Sequence, residues 1–460
     1  MSEVISVQES LSEILPADVF SVDDDQIARV SIDTSDGIPV GRAAAVVYPT
    51  TTQQVADLVR FAARESIPIV TQGARTGVVG GATAVDGAIL VNLTRMDAIL
   101  EISVEDQTAT CQPGVNTKRL ADAVAEKGLF YPPDPGSVSI STIGGNIATN
   151  AGGMQCLKYG TTGRFVRELT VVTGAGEIIR VGHKTAKGVA SLDLASLFVG
   201  SEGTLGIITE ATLALRPAPG EVLGAYGVFR TMSEALEAAN RVVASPYGPT
   251  ALEVMDGQII RAINALNRAE VLPNDAEAIL IVQSDATGSA AEDIGHFAEI
   301  FTTSGAIRTV TATTAAEVSE IMDLRRQLHP AMRRAYGAVL NEDIAVPRGR
   351  LLELFEGIAE IAQELDVPIA TGGHVGDGNL HPLIGFDADK PESRALADAA
   401  FEKVMALAAE LGGTITGEHG VGVIKRPLLD SELSAEVRAL QRGIKAVFDP
   451  AGILNPGKKL

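Results

Sequence analysis

Pro132-Pro133-Asp134-Pro135-Gly136-Ser137 leads into Ser141-Thr142-Ile143-Gly144-Gly145-Asn146-Ile147-Ala148-Thr149-Asn150-Ala151-Gly152-Gly153 and on to Lys158-Tyr159-Gly160. Prolines and a glycine stiffen the entry. Beyond them Gly, Ser, Thr and Asn dominate, with single Ile and Ala residues between. Such a segment cannot build a core alone. It suits a place where backbone lies close to another molecule, because glycine lacks the Cβ that would block approach. Exposed N–H groups in such turns favour anions, phosphate above all. A plain glycine-rich surface loop is the other reading of this stretch taken alone.

A second stretch changes that balance. Pro68-Ile69-Val70-Thr71-Gln72-Gly73-Ala74-Arg75-Thr76-Gly77-Val78-Val79-Gly80-Gly81-Ala82 follows one strand-like run and precedes another, Ala88 to Leu93. Together the two stretches resemble the flavin-binding loops of the FAD-linked oxidase superfamily, the vanillyl-alcohol oxidase and p-cresol methylhydroxylase type. The resemblance makes the first loop in chain order the pyrophosphate loop. It makes the second the segment lining the isoalloxazine.

Composition sets the bounds. A chain of 460 residues exceeds the size at which one core usually keeps growing, so two domains are expected. The net charge of −21 argues against a general nucleic-acid binder and against electrostatic attachment to anionic lipid. Two cysteines, Cys111 and Cys156, give no disulfide framework and suit a reducing, cytoplasmic setting. Met1 to Ser6 has no basic or apolar region of an export signal. No run approaches the ~20 apolar residues of a membrane span, although peripheral contact with a membrane protein is compatible.

Local patterns place the loops. Val55, Leu58, Val59 and Ala62 recur at helical spacing after a threonine cap. Thr117 to Lys127 reads as a helix capped by Gly128. Leu169 to Thr173 and Glu177 to Arg180 flank Gly174-Ala175-Gly176 as a hairpin. A third glycine cluster, Gly200-Ser201-Glu202-Gly203-Thr204-Leu205-Gly206-Ile207, precedes a strand. Arg216-Pro217-Ala218-Pro219-Gly220 is a boundary. Beyond it Met232–Ala244, Ala251–Val254, Ala278–Val282, Ala290–Phe301 and Ala315–Arg334 alternate between helix and strand. That alternation predicts an α+β layer with helices on one face of a sheet. No Rossmann fingerprint follows a first strand. Gly452 to Lys459 mimics a P-loop but lacks its Ser/Thr and a following helix.

Three of six histidines fall in two glycine-rich runs, Gly372-Gly373-His374-Val375-Gly376-Asp377-Gly378-Asn379-Leu380-His381-Pro382 and Gly417-Glu418-His419-Gly420-Val421-Gly422. Two imidazoles and a carboxylate can hold Zn²⁺ or a similar ion and leave positions open for substrate. The spacing alone is unspecific, and any single histidine reads as structural. Three in two such loops favour a functional site.

These two runs, with Asp449-Pro450-Ala451-Gly452-Ile453-Leu454-Asn455-Pro456-Gly457-Lys458, resemble the C-terminal motifs of FAD-linked D-2-hydroxyacid dehydrogenases, the D-lactate, glycolate and D-2-hydroxyglutarate type. The match extends over nearly the whole chain. It implies a two-domain α+β FAD-linked oxidase fold. Residues 1–40 would form a helix and covering loop, 41–219 the FAD-binding domain of p-cresol methylhydroxylase type, and 220–460 the substrate and metal domain. Residues 433–460 would return to the flavin. FAD would meet Gln72, Gly73, Ala74, Arg75, Thr76, Gly77 and Gly80 in the first loop. In the second it would meet Pro135, Gly136, Ser137, Thr142, Gly144, Gly145, Asn146, Thr149, Asn150, Gly152 and Gly153. Gly206, Ile207 and Asn455 complete the set. His374, His381 and Glu418 would bind a divalent metal, zinc being expected. His419 would take the hydroxyl proton, Arg325 would hold the substrate carboxylate and Asn379 would orient nearby groups.

The implied reaction oxidises a 2-hydroxyacid to its 2-oxoacid by hydride transfer to flavin N5. A quinone, cytochrome, electron-transfer flavoprotein or oxygen would accept the electrons. A homodimer is left open. Two departures from the family pattern matter. The first loop holds no histidine to tether the flavin, so FAD is expected to be non-covalent. Asn341 replaces a lysine and His329 a threonine of the hydroxyglutarate branch, which counts against a second carboxylate and favours D-lactate. Two readings of other types stay open. One is a flavin alcohol or sugar-acid oxidase with a structural histidine cluster. The other is a zinc hydrolase or metal-binding module without flavin.

Overall fold

A computed structural model describes residues 7–460; the expectation of no export signal rests on Met1 to Ser6, which lie outside them. The chain divides into two units, and the first is written in three pieces: the described part of Met1–Gly153, then Thr161–Ala218 and Glu418–Leu460. Its opening helix α1 (Val7–Ile14) and strand β1 (Phe20–Ser21) lead to β2 (Ala45–Val47). There the Thr51 side chain accepts from Gln54 N at 3.2 Å and starts α3 (Thr52–Glu65), α2 being Asp24–Ala28. The apolar stripe of α3 does what its spacing demands. Val55, Leu58, Val59 and Ala62 are buried in one cluster with Ile69, Val91 and Leu454. Leu11, Leu15 and Val19 join the same cluster, so the opening residues contribute core as well as cover.

Strands β3 (Ile69–Gln72) and β2 lie parallel on either side of β4 (Ile89–Asn92). A separate antiparallel sheet joins β5 (Ile99–Ser103), β6 (Thr108–Cys111), β7 (Val166–Thr173), β8 (Ile178–Gly182) and β9 (Gly206–Ala214) in the order β5-β6-β9-β7-β8. The β7–β8 pair is the expected hairpin. Helix α4 (Thr117–Ala125) has the expected start, with Gly128 at φ 72° just beyond its end. The short helix α5 (Ile143–Thr149) lies within the glycine-rich stretch and stops at Asn150, in the left-handed conformation at φ 53°.

The second unit comprises Met154–Gly160 and Pro219–Gly417. Its strands are β10 (Leu223–Phe229), β11 (Ala251–Asp256), β12 (Ala278–Ser284), β13 (Arg308–Ala312), β14 (Ala338–Asn341), β15 (Ile344–Ala345), β16 (Ile369–His374) and β17 (Asn379–Phe386). They form one antiparallel sheet ordered β13-β10-β12-β11-β16-β17-β14, with β15 also on β17. Its helices are α6 (Met232–Ala244), α7 (Gly257–Asn267), α8 (Ala290–Thr303), α9 (Ala315–Arg326), α10 (Leu328–Tyr336), α11 (Leu351–Leu365) and α12 (Pro391–Glu410).

Helices cover both faces of this sheet, where the sequence pattern suggested one. A Cβ on Gly224 would sit 3.7 Å from Val318 of α9, and one on Gly227 would sit 2.8 Å from Phe301 of α8. Positions three apart on a strand point to opposite sides. Every residue of β10 is buried, so neither face could be left to water. The expected helix Ala315–Arg334 is likewise two helices, broken at Gln327. Pro330 explains the break. It has no N–H for the carbonyl of Arg326, and it is tolerated only in the first turn of a new helix. The last helix of the chain, α13 (Ala435–Phe448), belongs to the first unit.

Candidate active site

In the first unit the two glycine loops meet. A Cβ on Gly73 would collide with Thr142 Oγ1 and lie 3.7 Å from Gly145 Cα, so the glycine leaves room for the Thr142 side chain where the two loops come together. Residues 73–78 are all half-buried. Asn455 returns to the same place: its Oδ1 accepts from Thr71 N at 3.0 Å and its Nδ2 donates to Glu202 O at 2.6 Å. Leu454 pairs with Ile69 as a parallel bridge.

Several predicted polar side chains in these loops are already engaged by protein. Gln72 Nε2 donates to Val30 O and Ala82 O, both at 2.8 Å. Asn146 Nδ2 donates to Thr117 Oγ1 at 2.8 Å. Thr149 Oγ1 donates to Gly145 O at 3.1 Å, and Asn150 Oδ1 accepts from Gly163 N at 2.9 Å. Ile207 is buried in the core. Thr71 Oγ1, Arg75 Nε and Thr142 Oγ1 differ: they are buried without a hydrogen-bond partner. Three orphaned polar atoms beside a tight glycine cradle are what a site shaped for a polar group leaves behind when only protein is considered. The residues therefore fit a bound nucleotide cofactor. Cys111 is buried and its thiol is pushed up to about 12 by burial, consistent with an inert residue.

In the second unit β16 and β17 run side by side and carry His374 and His381, with ring centroids 5.3 Å apart. Gly373, between them in the ladder, has φ 149°. Both imidazoles use Nδ1 on the protein. His381 Nδ1 lies 3.1 Å from the Glu342 carbonyl, and His374 Nδ1 lies 2.6 Å from Glu253 Oε1. A carbonyl oxygen can only accept, so His381 Nδ1 carries the hydrogen. The Glu253 carboxylate imposes the same tautomer on His374. In both rings the neutral form then keeps its lone pair on Nε2, the arrangement of metal-bound histidines.

Glu253 was absent from the sequence reading. It is buried in the middle of β11, and its Oε2 accepts from Arg325 Nε at 2.8 Å. Burial pushes its carboxyl up, but His374 and then Arg325 outweigh this and hold it down at about 2. An acidic residue within the apolar run Ala251-Leu252-Glu253-Val254-Met255 was the available signal. Asn379 is buried, and its Nδ2 donates to Asp343 Oδ1 at 2.7 Å and Ile344 O at 2.9 Å. Asp343 Oδ2 in turn accepts from Thr416 Oγ1 at 2.8 Å.

Thr416 and Gly417 end the second unit, and one peptide bond leads to Glu418. Ligand atoms of His374, His381 and Glu418 lie within 4.8 Å of one another. Two imidazoles and one carboxylate at this separation suit a divalent ion with open positions. His419, next in the chain, is half-buried. The loop that follows is held within the first unit by Glu202, whose Oε1 accepts from Val421 N at 2.8 Å and Oε2 from Gly422 N at 2.7 Å.

Comparison with known proteins bears on the fold and the family. Residues 43–182 match the family described as "FAD binding domain", and residues 221–459 match "FAD linked oxidases, C-terminal domain". The glycolate oxidase subunit GlcD of Bacillus subtilis (strain 168) is 40% identical over 415 residues, covering 90% of this chain and 88% of its own. A D-lactate dehydrogenase of Anaerostipes hadrus is 36% identical over 91% of this chain and 89% of its own. A D-2-hydroxyglutarate dehydrogenase of Stutzerimonas stutzeri (strain A1501) is 33% identical over 90% of each. Among solved structures, p-cresol methylhydroxylase with substrate bound has a TM-score of 0.78 at 18% identity, covering 98% of this chain and 95% of that one, a likeness of fold. The fold and the two matched regions thus define a two-part flavoprotein oxidoreductase. The chain belongs to the FAD-linked oxidase family. Among the described residues no helix is long and apolar enough to cross a membrane.

Proposed function

We propose that this protein is an FAD-dependent, metal-assisted dehydrogenase of a D-2-hydroxyacid, with D-lactate the favoured substrate and the 2-oxoacid the product. The observation that carries the reading is the His374, His381 and Glu418 cluster, with both imidazoles held through Nδ1. The relatives named above support the substrate class, since each is named for a 2-hydroxyacid.

FAD would be held without a covalent tether by the backbone of Gln72–Gly77 and Gly80, by Pro135–Ser137, by Thr142, Gly144–Asn146, Thr149 and Asn150, by Gly152 and Gly153, by Gly206 and Ile207, and by Asn455. Thr71, Arg75 and Thr142 would supply the polar contacts that protein leaves unmade. When bound, FAD supplies the hydride acceptor at N5, and a divalent ion on His374, His381 and Glu418 supplies the positive charge that acidifies a hydroxyl. Arg325 pairs with the substrate carboxylate. His419 accepts the hydroxyl proton as the α-hydrogen leaves with its electron pair. Asn379, with its Nδ2 spent on Asp343 and Ile344, presents Oδ1 in a fixed direction.

The preference for a small acid rests on what stands where a second carboxylate would need a cation. Burial, and then the charge of Arg333, pushes the His329 imidazole down, which disfavours its charged form. Asn341, at the end of β14, carries no charge.

The test is anaerobic flavin bleaching of the metal-replete protein by D-lactate, L-lactate, glycolate and D-2-hydroxyglutarate, each with and without chelator. Bleaching by D-lactate, lost with chelator and restored by Zn²⁺ or Mn²⁺, is expected. His381→Ala should keep FAD while losing the metal and at least about 100-fold in turnover. Chelator-insensitive bleaching, or full turnover by the variant, would sink the metal-assisted reading. Bleaching by another of the acids would rename the substrate.

A further inference from the structure

One carboxylate touches two groups to which the reading above gives different tasks. Glu253 Oε1 meets His374 Nδ1, and Oε2 meets Arg325 Nε. The three residues come from separate elements of the second unit: β11, the end of β16 and the last turn of α9. The Glu253 side chain is 1% exposed, whereas that of Arg325 is 20% exposed. A buried carboxylate in the interior strand of a sheet costs desolvation that an apolar residue would avoid. Its neighbours on the strand, Leu252 and Val254, are apolar and also buried. A glutamate here is more than packing requires.

We propose that Glu253 is the positioning residue of the active site, holding the metal-binding imidazole and the carboxylate-binding guanidinium in register with each other. The inference rests on the function proposed above. Its acceptance from Nδ1 keeps the His374 lone pair on Nε2, facing away from the sheet strand that Glu253 occupies. Its acceptance from Nε fixes the plane of the Arg325 guanidinium. The Nη1/Nη2 edge of that group, which meets no carboxylate among the described residues, is thereby presented to a ligand as a fork. A substrate bearing hydroxyl and carboxylate on adjacent carbons needs a metal and an arginine at one set separation. A single rigid linker between the two sets it.

The test uses the full-length FAD-loaded protein and two equilibrium measurements. The Mn²⁺ dissociation constant is obtained by competition with a chromophoric chelator. The pyruvate dissociation constant of the oxidised, Mn²⁺-saturated protein is read from the perturbed flavin spectrum; pyruvate is a 2-oxoacid and cannot reduce the flavin. Glu253→Gln keeps the shape but offers an amide to one of two donors. We expect it to keep its flavin, to weaken Mn²⁺ by about 10–100-fold and to weaken pyruvate by at least about 10-fold. Values matching wild type, with only a lower melting temperature, would overturn the role and leave Glu253 a structural residue. A wild type that binds neither Mn²⁺ nor pyruvate would overturn the proposed function itself, and the role with it. A second measurement does not depend on the variant folding. In ¹⁵N-histidine-labelled, metal-free wild type, at a pH where the ring is neutral, the His374 signal, assigned by its loss in His374→Gln, should report the Nδ1–H tautomer. The Nε2–H tautomer there would also overturn the inference.

Discussion

Asp256 closes the strand that carries Glu253, and it faces a different compromise. Its Oδ1 accepts from Ile259 N at 2.9 Å to start α7, and its Oδ2 accepts from Thr371 N at 2.6 Å in β16. Burial outweighs these bonds and raises the carboxyl to about 6. Because the folded value lies above the unfolded one, the folded state holds the proton more tightly. The stability this contributes is complete below about pH 4 and is lost as the pH rises through about 6. Asp256→Asn removes the titration. Urea denaturation at pH 4.5 and pH 7 should show the variant gaining on wild type at the higher pH, by on the order of 2–3 kcal/mol. A difference between the two proteins that does not change with pH would contradict this. The two acids of β11 show what sequence could and could not tell. The histidines and Glu418 drew notice because three imidazoles fall in two glycine-rich runs. Glu253 left only the weaker signal of an acid among apolar neighbours, because a lone glutamate in a strand is equally at home facing water. Only the placement of β11 between β12 and β16 buries it.

At the scale of elements, the β16–β17 pair is what aims the two imidazoles. Gly373 makes this possible. At φ 149° a Cβ there would lie 2.8 Å from Asn379 O and 2.9 Å from Leu380 Cα, backbone atoms that cannot swing aside. Gly373→Ala should therefore force the strands apart and cost roughly 2–4 kcal/mol. Its melting temperature should fall, and its affinity for Mn²⁺ should fall with it, although no ligand atom has been changed. Unaltered metal binding would mean that the strands yield without moving the histidines. The strand–helix alternation of this unit was legible from periodicity. The second layer of helices was not, since a run such as Ala278-Ile279-Leu280-Ile281-Val282 shows that a strand is buried but not by how many layers. The break at Gln327 was visible in principle at Pro330, whose effect on a continuous helix is local chemistry.

For the whole molecule, the first loop offers Gln72-Gly73-Ala74-Arg75-Thr76-Gly77 and no histidine, the ground on which the proposed FAD is expected to be held without a covalent link. Acid precipitation of the purified yellow protein should leave all of the flavin in the supernatant. Colour retained in the washed pellet would show a covalent bond formed by another residue. The family itself was legible in advance, because glycines, histidines and turn motifs are read one by one. The resemblance implied that residues 433–460 return to the flavin; what it did not disclose was that they also supply core to the first unit. Ile453 and Leu454 stand in its core beside Val55, Leu58 and Ile69, and Asn455 meets Thr71 from 384 positions along the chain. The second unit is thus written as an interruption of the first. During synthesis the ribosome makes most of the cofactor-binding half, then nearly all of the other half, and only after that the residues that shut the one begun earlier. Until then the glycine loops lack their closing partner, and order of translation and order of completion run in opposite directions.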